Sequence, residues 1–191
     1  MGIQVIESTG ADIPSRRMHR DPHTQQVFGV SARSHTPQSF ATAIRADIGE
    51  SAAYKQALLR GEIGLQRPLG VNVSGVDFIT ALRDGPTEVK EIVCTDVKTS
   101  EVGKFPAPKT TIPGTWLSEV LAAVAPGRLK LRVIITDVSG SLPYNLPLPH
   151  SSAELVALEN KIVQAVRQNR IRLRQLNADY SGSGQGQIGG W

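Results

Sequence analysis

The sequence predicts an α/β fold, in which a central mixed sheet contains one antiparallel hairpin and is flanked by helices. Runs of Val, Ile, Thr and Phe at 76–82 and 89–98 are separated by turn residues, which is typical of a hairpin. A helical pattern at 115–125 lies between this hairpin and a further β-branched run at 129–138, as in an α/β crossover. The chain has 191 residues, 40% hydrophobic, which suits one globular core.

We expect three segments along the chain. Residues 1–35 read as irregular, although IQVI could form a short edge strand, and the basic cluster at 16–20 is a solvated leader or an arm that contacts phosphate. Residues 36–178 form a single domain. The Gly-, Ser- and Gln-rich stretch 179–191 reads as a disordered tail, and the sequence alone offers no role for Trp191.

The domain begins with a helical segment. Thr36 is a capping residue and Pro37 suits the first helical position. Gly49 is expected to interrupt the helix, so that a second helical piece covers 51–60. Apolar residues at four-residue spacing predict a buried stripe: Phe40, Ile44 and Ile48. The segment 65–74 reads as a loop or an edge strand, in which Arg67 is either solvated or a phosphate contact.

The hairpin at 75–100 carries the chemistry. A register that places Asp77 opposite Asp96 centres the turn within 84–87. Since side chains alternate between the faces of a strand, Lys98 then shares the face of both carboxylates. The same register predicts two apolar pairs on that face: Ile79 against Cys94, and Ala81 against Ile92.

Two opposed carboxylates destabilise a sheet unless a proton or a cation lies between them. A hard divalent cation such as Mg²⁺ relieves this repulsion, because it prefers oxygen ligands and keeps water molecules in its shell. An ammonium beside that ion can stabilise the negative charge that develops on a phosphoryl group. The pattern of Asp77, Asp96 and Lys98 therefore points to phosphodiester cleavage.

The second half of the domain completes the sheet. The loop 101–114 carries Lys104 and Lys109 and is either a mobile connection or a contact for nucleic acid. A helix capped by Thr115 follows, and then 129–138 is expected to be a central strand. Asp137 at the end of that strand is a further, less favoured acid. After the proline-rich bridge SLPYNLPLP, Ser151 or Ser152 caps a long helix reaching Leu176, whose arginine row is solvated or follows phosphates: Arg167, Arg170 and Arg174.

Composition limits the function classes. A net charge of +4 favours an anionic partner. The single cysteine, Cys94, excludes an internal disulfide framework and reads as a buried thiol. No apolar run reaches the roughly 18 residues that a membrane helix requires. The sequence contains no zinc signature, nucleophile elbow, Walker loop or dinucleotide fingerprint.

Asp77 in GVDFIT, followed by Asp96-Val97-Lys98, resembles the PD-(D/E)XK nuclease superfamily, over roughly residues 40–140. Val76 stands where that motif has proline, and Asp96 stands where it more often has glutamate. The wording GVDFITA, TDVKTS and GKFP is also similar to C-terminal nuclease toxin domains of contact-dependent growth inhibition and other polymorphic toxin systems.

The resemblance implies a restriction-endonuclease-like fold and a set of roles. Asp77, Asp96 and the backbone carbonyl of Val97 would hold a divalent metal, most simply Mg²⁺, with Mn²⁺ or Zn²⁺ as alternatives. Lys98 would assist catalysis. Glu62 would be the fourth, helix-borne acid, with Glu50 as runner-up.

The implied function is an endonuclease toxin, with tRNA favoured over DNA as substrate. It would act in the cytoplasm of a target cell after delivery as part of a larger secreted or surface protein, and a cognate immunity protein would neutralise it. The alternative is a non-catalytic basic α/β domain that binds nucleic acid or a protein partner through the arginine row.

Overall fold

The structure is a computed structural model, and it describes residues 4–7, 16–20, 27–31, 37–68, 74–85, 87–125, 152–182 and 187–191. Two sheets and three helices are formed by these residues. In chain order the elements are β1 (Gln4–Glu7), β2 (Arg16–Arg20), β3 (Val27–Ser31), α1 (Pro37–Leu59), β4 (Ile63–Gln66), β5 (Phe78–Arg83), β6 (Val89–Ser100), α2 (Gly114–Ala123), α3 (Ser152–Arg167), β7 (Ile171–Asp179) and β8 (Gln187–Gly189).

The larger sheet has five strands in the order β4-β5-β6-β7-β8. β6 lies at its centre and is parallel to β7, whereas the other neighbouring pairs are antiparallel. Helices cover the sheet, since α1 packs with one group of buried strand residues and α2 and α3 pack with the other. The predicted α/β class with a mixed sheet flanked by helices is therefore confirmed.

The predicted hairpin is β5 and β6, and its register is the predicted one. Ile79 pairs with Cys94, and Ala81 pairs with Ile92. These four residues are buried against Trp116 and Val120 of α2 and Leu158 and Ile162 of α3. The opposite face of the hairpin packs against α1 and begins with Phe78, whose ring lies edge-on to Tyr54. One sheet therefore buries both faces, and its apolar alternation fixes which way each polar residue points.

Helix α1 is continuous through Gly49, so the prediction of two helical pieces is wrong. The glycine serves packing instead of termination. A Cβ atom placed there would lie 3.1 Å from the Cβ of Ala178 and 3.3 Å from Oγ1 of Thr99. Because glycine has no side chain, α1 can approach β6 and β7 closely at this point, and the neighbouring Glu50 is brought next to the sheet.

The long helix predicted from 151 to 176 is also wrong beyond Arg167. Asn169 adopts a left-handed backbone conformation, φ 54°, which ends the helical path. β7 then begins at Ile171 and runs parallel to β6. Along β7 the fully buried positions recur at every second residue, so a period of two prevails over the helical spacing: Arg174, Leu176 and Ala178.

Both ends of the chain contain more structure than expected. β1, β2 and β3 form an antiparallel three-stranded sheet with β1 at an edge, and the basic cluster at 16–20 is β2. At the other end, β8 pairs with β7 within the stretch expected to be disordered. Trp191 has a physical role, because the guanidinium of Arg60 lies 4.4 Å and that of Arg174 lies 5.0 Å from its ring centroid.

Several predictions fall outside the described residues. These are the strand at 129–138, the extra acid Asp137, the proline-rich bridge and the cap at Ser151. α2 begins one residue before the predicted cap, and its N-cap is Pro113 instead of Thr115. Among the residues that the structure describes, no helix combines the length and the apolar composition needed to cross a bilayer.

The close approach at Gly49 can be tested by Gly49→Val. We expect a loss of about 1–3 kcal/mol in the free energy of unfolding, because a branched side chain must push α1 away from Ala178 and Thr99. Urea denaturation measures the change. Gly114→Ala at the start of α2 is the matched control, since no atom lies within 4 Å of the position of its Cβ. Equal stability of the Val variant and the wild type would contradict this account of the packing.

Candidate functional site

The site lies at the end of the hairpin away from its turn, where Asp96 follows the buried residue Cys94 on the same face of β6. Asp96 is 4% exposed. Lys98 Nζ is 2.5 Å from its Oδ1, and Lys109 Nζ is 2.7 Å from its Oδ2. A buried carboxylate therefore has one ammonium on each oxygen.

Asp77 lies directly before β5 and faces the same strand. Its Oδ2 accepts a hydrogen bond from the backbone N–H of Val97, at 2.5 Å. Burial raises the pKa of Asp77 to about 6, against the hydrogen bond from Val97, which lowers it. The charge of Asp96 raises this pKa further, Lys98 lowers it, and a side-chain hydrogen bond with Asp96 raises it. The three predicted residues Asp77, Asp96 and Lys98 are thus brought together.

The backbone at Asp77 is held on two sides. Its own N–H donates to the carbonyl oxygen of Thr95, at 3.1 Å. One residue earlier, the N–H of Val76 donates to Oε2 of Glu119 on α2, at 3.2 Å. Gly75 has φ +135°, and any side chain there would collide with the carboxylate of Glu119. The carboxylate of Glu119 on α2 therefore holds the backbone of Val76, the residue before Asp77.

Glu50 on α1 belongs to the same group of charges. Burial raises its pKa to about 8, and the nearby carboxylates of Asp77, Asp47 and Asp96 raise it further, while Lys98 lowers it. The runner-up for the helix-borne acid is therefore the acid that interacts with the hairpin carboxylates. Glu50 is located there because α1 continues through Gly49 and lies close to β6.

Glu62, the first choice for that acid, lies in a different environment. Its Oε1 is 2.6 Å from Nη1 of Arg174 and its Oε2 is 3.0 Å from Nη2, so the pair is bidentate. Thr80 donates to Oε2 at 2.5 Å, and Arg174 also donates to Oγ1 of Thr95. Both partners are buried. Since Glu62 is not among the charges that shift the pKa of Asp77 or Glu50, the structure does not join it to the hairpin site.

The arginine row predicted for phosphate contact does not exist. It required one helix over 167–174, whereas α3 ends at Arg167. Arg170 donates through Nη1 to the backbone oxygens of Val89 and Lys90, and Arg174 is buried with Glu62. These guanidinium groups hold strands together instead of sharing a helical face.

The helix predicted up to Leu176 does not reveal the polar residues of β7 that lie beside the site. The parallel register places Gln175 beside Asp96 and Asn177 beside Lys98. The Gln175 Nε2 atom donates to the oxygens of Asn177 and of Pro106. The alternation of polar and apolar residues from Ile171 was the available signal. The sequence places Lys109 only in the loop 101–114, because its spacing from Asp96 does not indicate a contact between the two residues.

The donor chemistry suits a hard cation. Asp77, Asp96, Glu50 and the carbonyl of Val97 offer only oxygen atoms, and burial together with repulsion from neighbouring carboxylates raises the pKa of Asp77 and of Glu50. Within the described ranges, no three His, Cys, Asp or Glu side chains surround a common point where an ion could be held. The ammonium groups of Lys98 and Lys109 supply the positive charge at Asp96. A cation that binds Asp96 therefore competes with these ammonium groups for the same carboxylate.

Comparisons of this chain with protein-family models, with curated proteins and with solved structures find no match.

We expect Glu62→Ala to unfold the protein far more easily, by about 3–5 kcal/mol, because it leaves the guanidinium of Arg174 buried without its carboxylate partner. Chemical denaturation measures the loss. The double variant Glu62→Met with Arg174→Met should recover much of the stability, since no buried charge is left unpaired. A Glu62→Ala protein of normal stability would contradict a structural role for this pair.

Stability should depend on pH through Glu50. Folding raises its pKa from 4.5 to about 8, so the folded state binds this proton more tightly and loses stability as the pH rises through that interval. Glu50→Gln removes the titration, and we expect the variant to be about 2–3 kcal/mol more stable than the wild type near pH 8.5, but similar to it near pH 4.5. Denaturation curves at both pH values test this, in buffer containing EDTA. A difference that does not grow with pH would contradict it.

Proposed function

We propose that this chain is a metal-dependent endonuclease that cleaves phosphodiester bonds of nucleic acid. The observation that carries the proposal is the convergence of Asp77, Asp96 and Lys98 at one end of the β5–β6 hairpin. Two carboxylates and an ammonium at one point add little to the stability of the sheet, because the apolar core already stabilises the hairpin. They have a clear chemical use where a phosphate must be held and its negative charge stabilised.

Each residue of the group has a role in the proposal. Asp77, Asp96 and the Val97 carbonyl hold the cation, with Glu50 replacing Glu62 as the acid contributed by the helix. When bound, the divalent ion activates water and neutralises the phosphate. The short hydrogen bond from Val97 N–H keeps Asp77 oriented toward Asp96. Lys98 places its ammonium beside the phosphate and stabilises the charge that develops during cleavage.

The proposed substrate and biological setting rest on the resemblance of GVDFITA, TDVKTS and GKFP to nuclease toxin domains. The net charge of +4 suits a polyanionic substrate. We favour tRNA over DNA, and a toxin module that is delivered by a larger protein, acts in the target-cell cytoplasm and is neutralised by an immunity protein. Mg²⁺ is the preferred ion, with Mn²⁺ and Zn²⁺ as alternatives.

The alternative is a non-catalytic basic domain that binds nucleic acid or a protein partner. The arginine row suggested for such binding is absent, because Arg170 and Arg174 have structural partners. A titration with Mn²⁺ separates the two functions, because a binding domain needs no cation at Asp77 and Asp96.

The first test compares Asp77→Asn, Asp96→Asn and Lys98→Met with the wild type. We expect each to reduce cleavage by about 100-fold or more, because each removes a charge that acts on the ion or on the phosphate. Total tRNA and plasmid DNA are incubated with Mg²⁺ or Mn²⁺, and products are resolved on gels. EDTA should stop cleavage by the wild type.

The matched control is Glu88→Gln, which neutralises an exposed glutamate that pairs with Lys161. It should cleave like the wild type, and thermal denaturation should show that all variants are folded. Full activity of a folded Asp96→Asn protein would refute the assignment of the site. Harmless expression of the intact chain without an immunity protein would count against the toxin setting while leaving the nuclease chemistry open to the gel assay.

A further inference from the structure

The loop between β6 and α2 folds back onto the site instead of leaving it. Its start is fixed by Oγ of Ser100, which accepts hydrogen bonds from the N–H groups of Val102 and Lys104 at 3.3 and 3.2 Å. Its middle is fixed by Gln175, whose Nε2 donates to the oxygen of Pro106 at 3.0 Å. The loop is therefore attached at two points before it reaches Lys109.

Lys109 is placed by two independent contacts. Its Nζ lies 2.7 Å from Oδ2 of Asp96 and 4.8 Å from the ring centroid of Trp116. Trp116 is itself buried in α2 and is 6% exposed. The aromatic face attracts the cation and restricts where its ammonium can lie. Lys109 is 42% exposed, so its ammonium is both positioned and reachable from solvent.

Asp96 has an ammonium at each of its two oxygens, Lys98 at Oδ1 and Lys109 at Oδ2. Either lysine alone would balance the charge of Asp96, and the nearby carboxylate of Asp77 leaves the whole group without an excess of positive charge. The two lysines differ in attachment, because Lys98 lies on the central strand, two residues from Asp96, whereas Lys109 belongs to a loop. When a divalent cation competes for Asp96, the loop lysine is the one whose backbone can yield without disrupting the sheet.

We propose that Lys109 is a second phosphate-binding lysine of the site, which occupies Oδ2 of Asp96 until a divalent cation takes that oxygen. The displaced ammonium then remains beside Trp116 and contacts the phosphate together with Lys98. In this exchange the ion pair between Lys109 and Asp96 would be replaced by coordination of the divalent cation to Oδ2, and no covalent bond of the protein would be made or broken. This inference rests on the proposed nuclease function.

The experiment measures cation affinity and cleavage separately. Isothermal titration with Mn²⁺ alone is performed on the wild type, Lys109→Met and Lys109→Arg. We expect Lys109→Met to bind Mn²⁺ about tenfold more tightly, because its competitor for Asp96 is gone. In the gel assay the same variant should need about tenfold more nucleic acid for half-maximal cleavage, because a phosphate contact is lost. Lys109→Arg keeps the positive charge and should therefore recover part of the substrate affinity that Lys109→Met loses.

Opposite changes in the two affinities distinguish this role from a structural one, which would weaken both. The matched control is Lys90→Met, an exposed lysine at the other end of β6, which should alter neither. Unchanged or weaker Mn²⁺ binding by Lys109→Met overturns the inference, and so does tighter binding with an unchanged substrate requirement. If neither the wild type nor any variant binds Mn²⁺, the nuclease proposal fails and takes this inference with it.

Discussion

The pairing of β5 with β6 is the constraint on which the candidate site depends. One register buries Ile79 and Ala81 against Cys94 and Ile92, and a slip of β5 by one residue would turn Ile79 and Ala81 to the wrong face. The same register continues to the N–H of Asp77, which donates to Thr95, and lets the carboxylate of Asp77 accept the N–H of Val97. Burial of apolar side chains therefore supplies the free energy that holds two acids close together.

The electrostatics of the site are a balance between acids and lysines. Burial is the largest cause of the raised pKa values of Glu50 and Asp77, and repulsion between these acids and Asp96 raises them further. Lys98 and Lys109 contact Asp96 directly, and Lys98 also lowers the pKa of Glu50 and Asp77 without reversing the rise. The residual imbalance is concentrated on the two acids without an ammonium partner, and this is the electrostatic setting in which an added cation is favourable.

Glu50, inside α1, and Glu62, just beyond its end, have different surroundings and therefore different roles. Glu62 follows the turn after α1 and is directed at Arg174, whose guanidinium also touches Thr95 and lies near the ring of Trp191. This cluster joins β4, β5, β6 and β7 with the C-terminal residue. Glu50 lies earlier on α1, where Gly49 allows the helix to approach the sheet. The short sequence distance between Glu62 and the hairpin predicts Glu62 as the helix-borne acid of the site. The path of α1 instead brings Glu50 close to Asp77 and Asp96.

The hairpin, its register and the grouping of Asp77, Asp96 and Lys98 can be predicted from the sequence, because alternation along neighbouring strands is a local property with a period of two. The sequence also predicts the mixed α/β class. Three features are visible only in the tertiary structure. Residues 171–179 form a strand, Glu50 is the acid beside the hairpin, and Lys109 contacts Asp96. Each of these depends on contacts between residues far apart in the chain: the parallel pairing of β7 with β6, the packing of α1 on Ala178, and a loop held by Gln175 and Trp116. Local patterns contain no information about such partners, so packing free energy selected among conformations that the sequence left open.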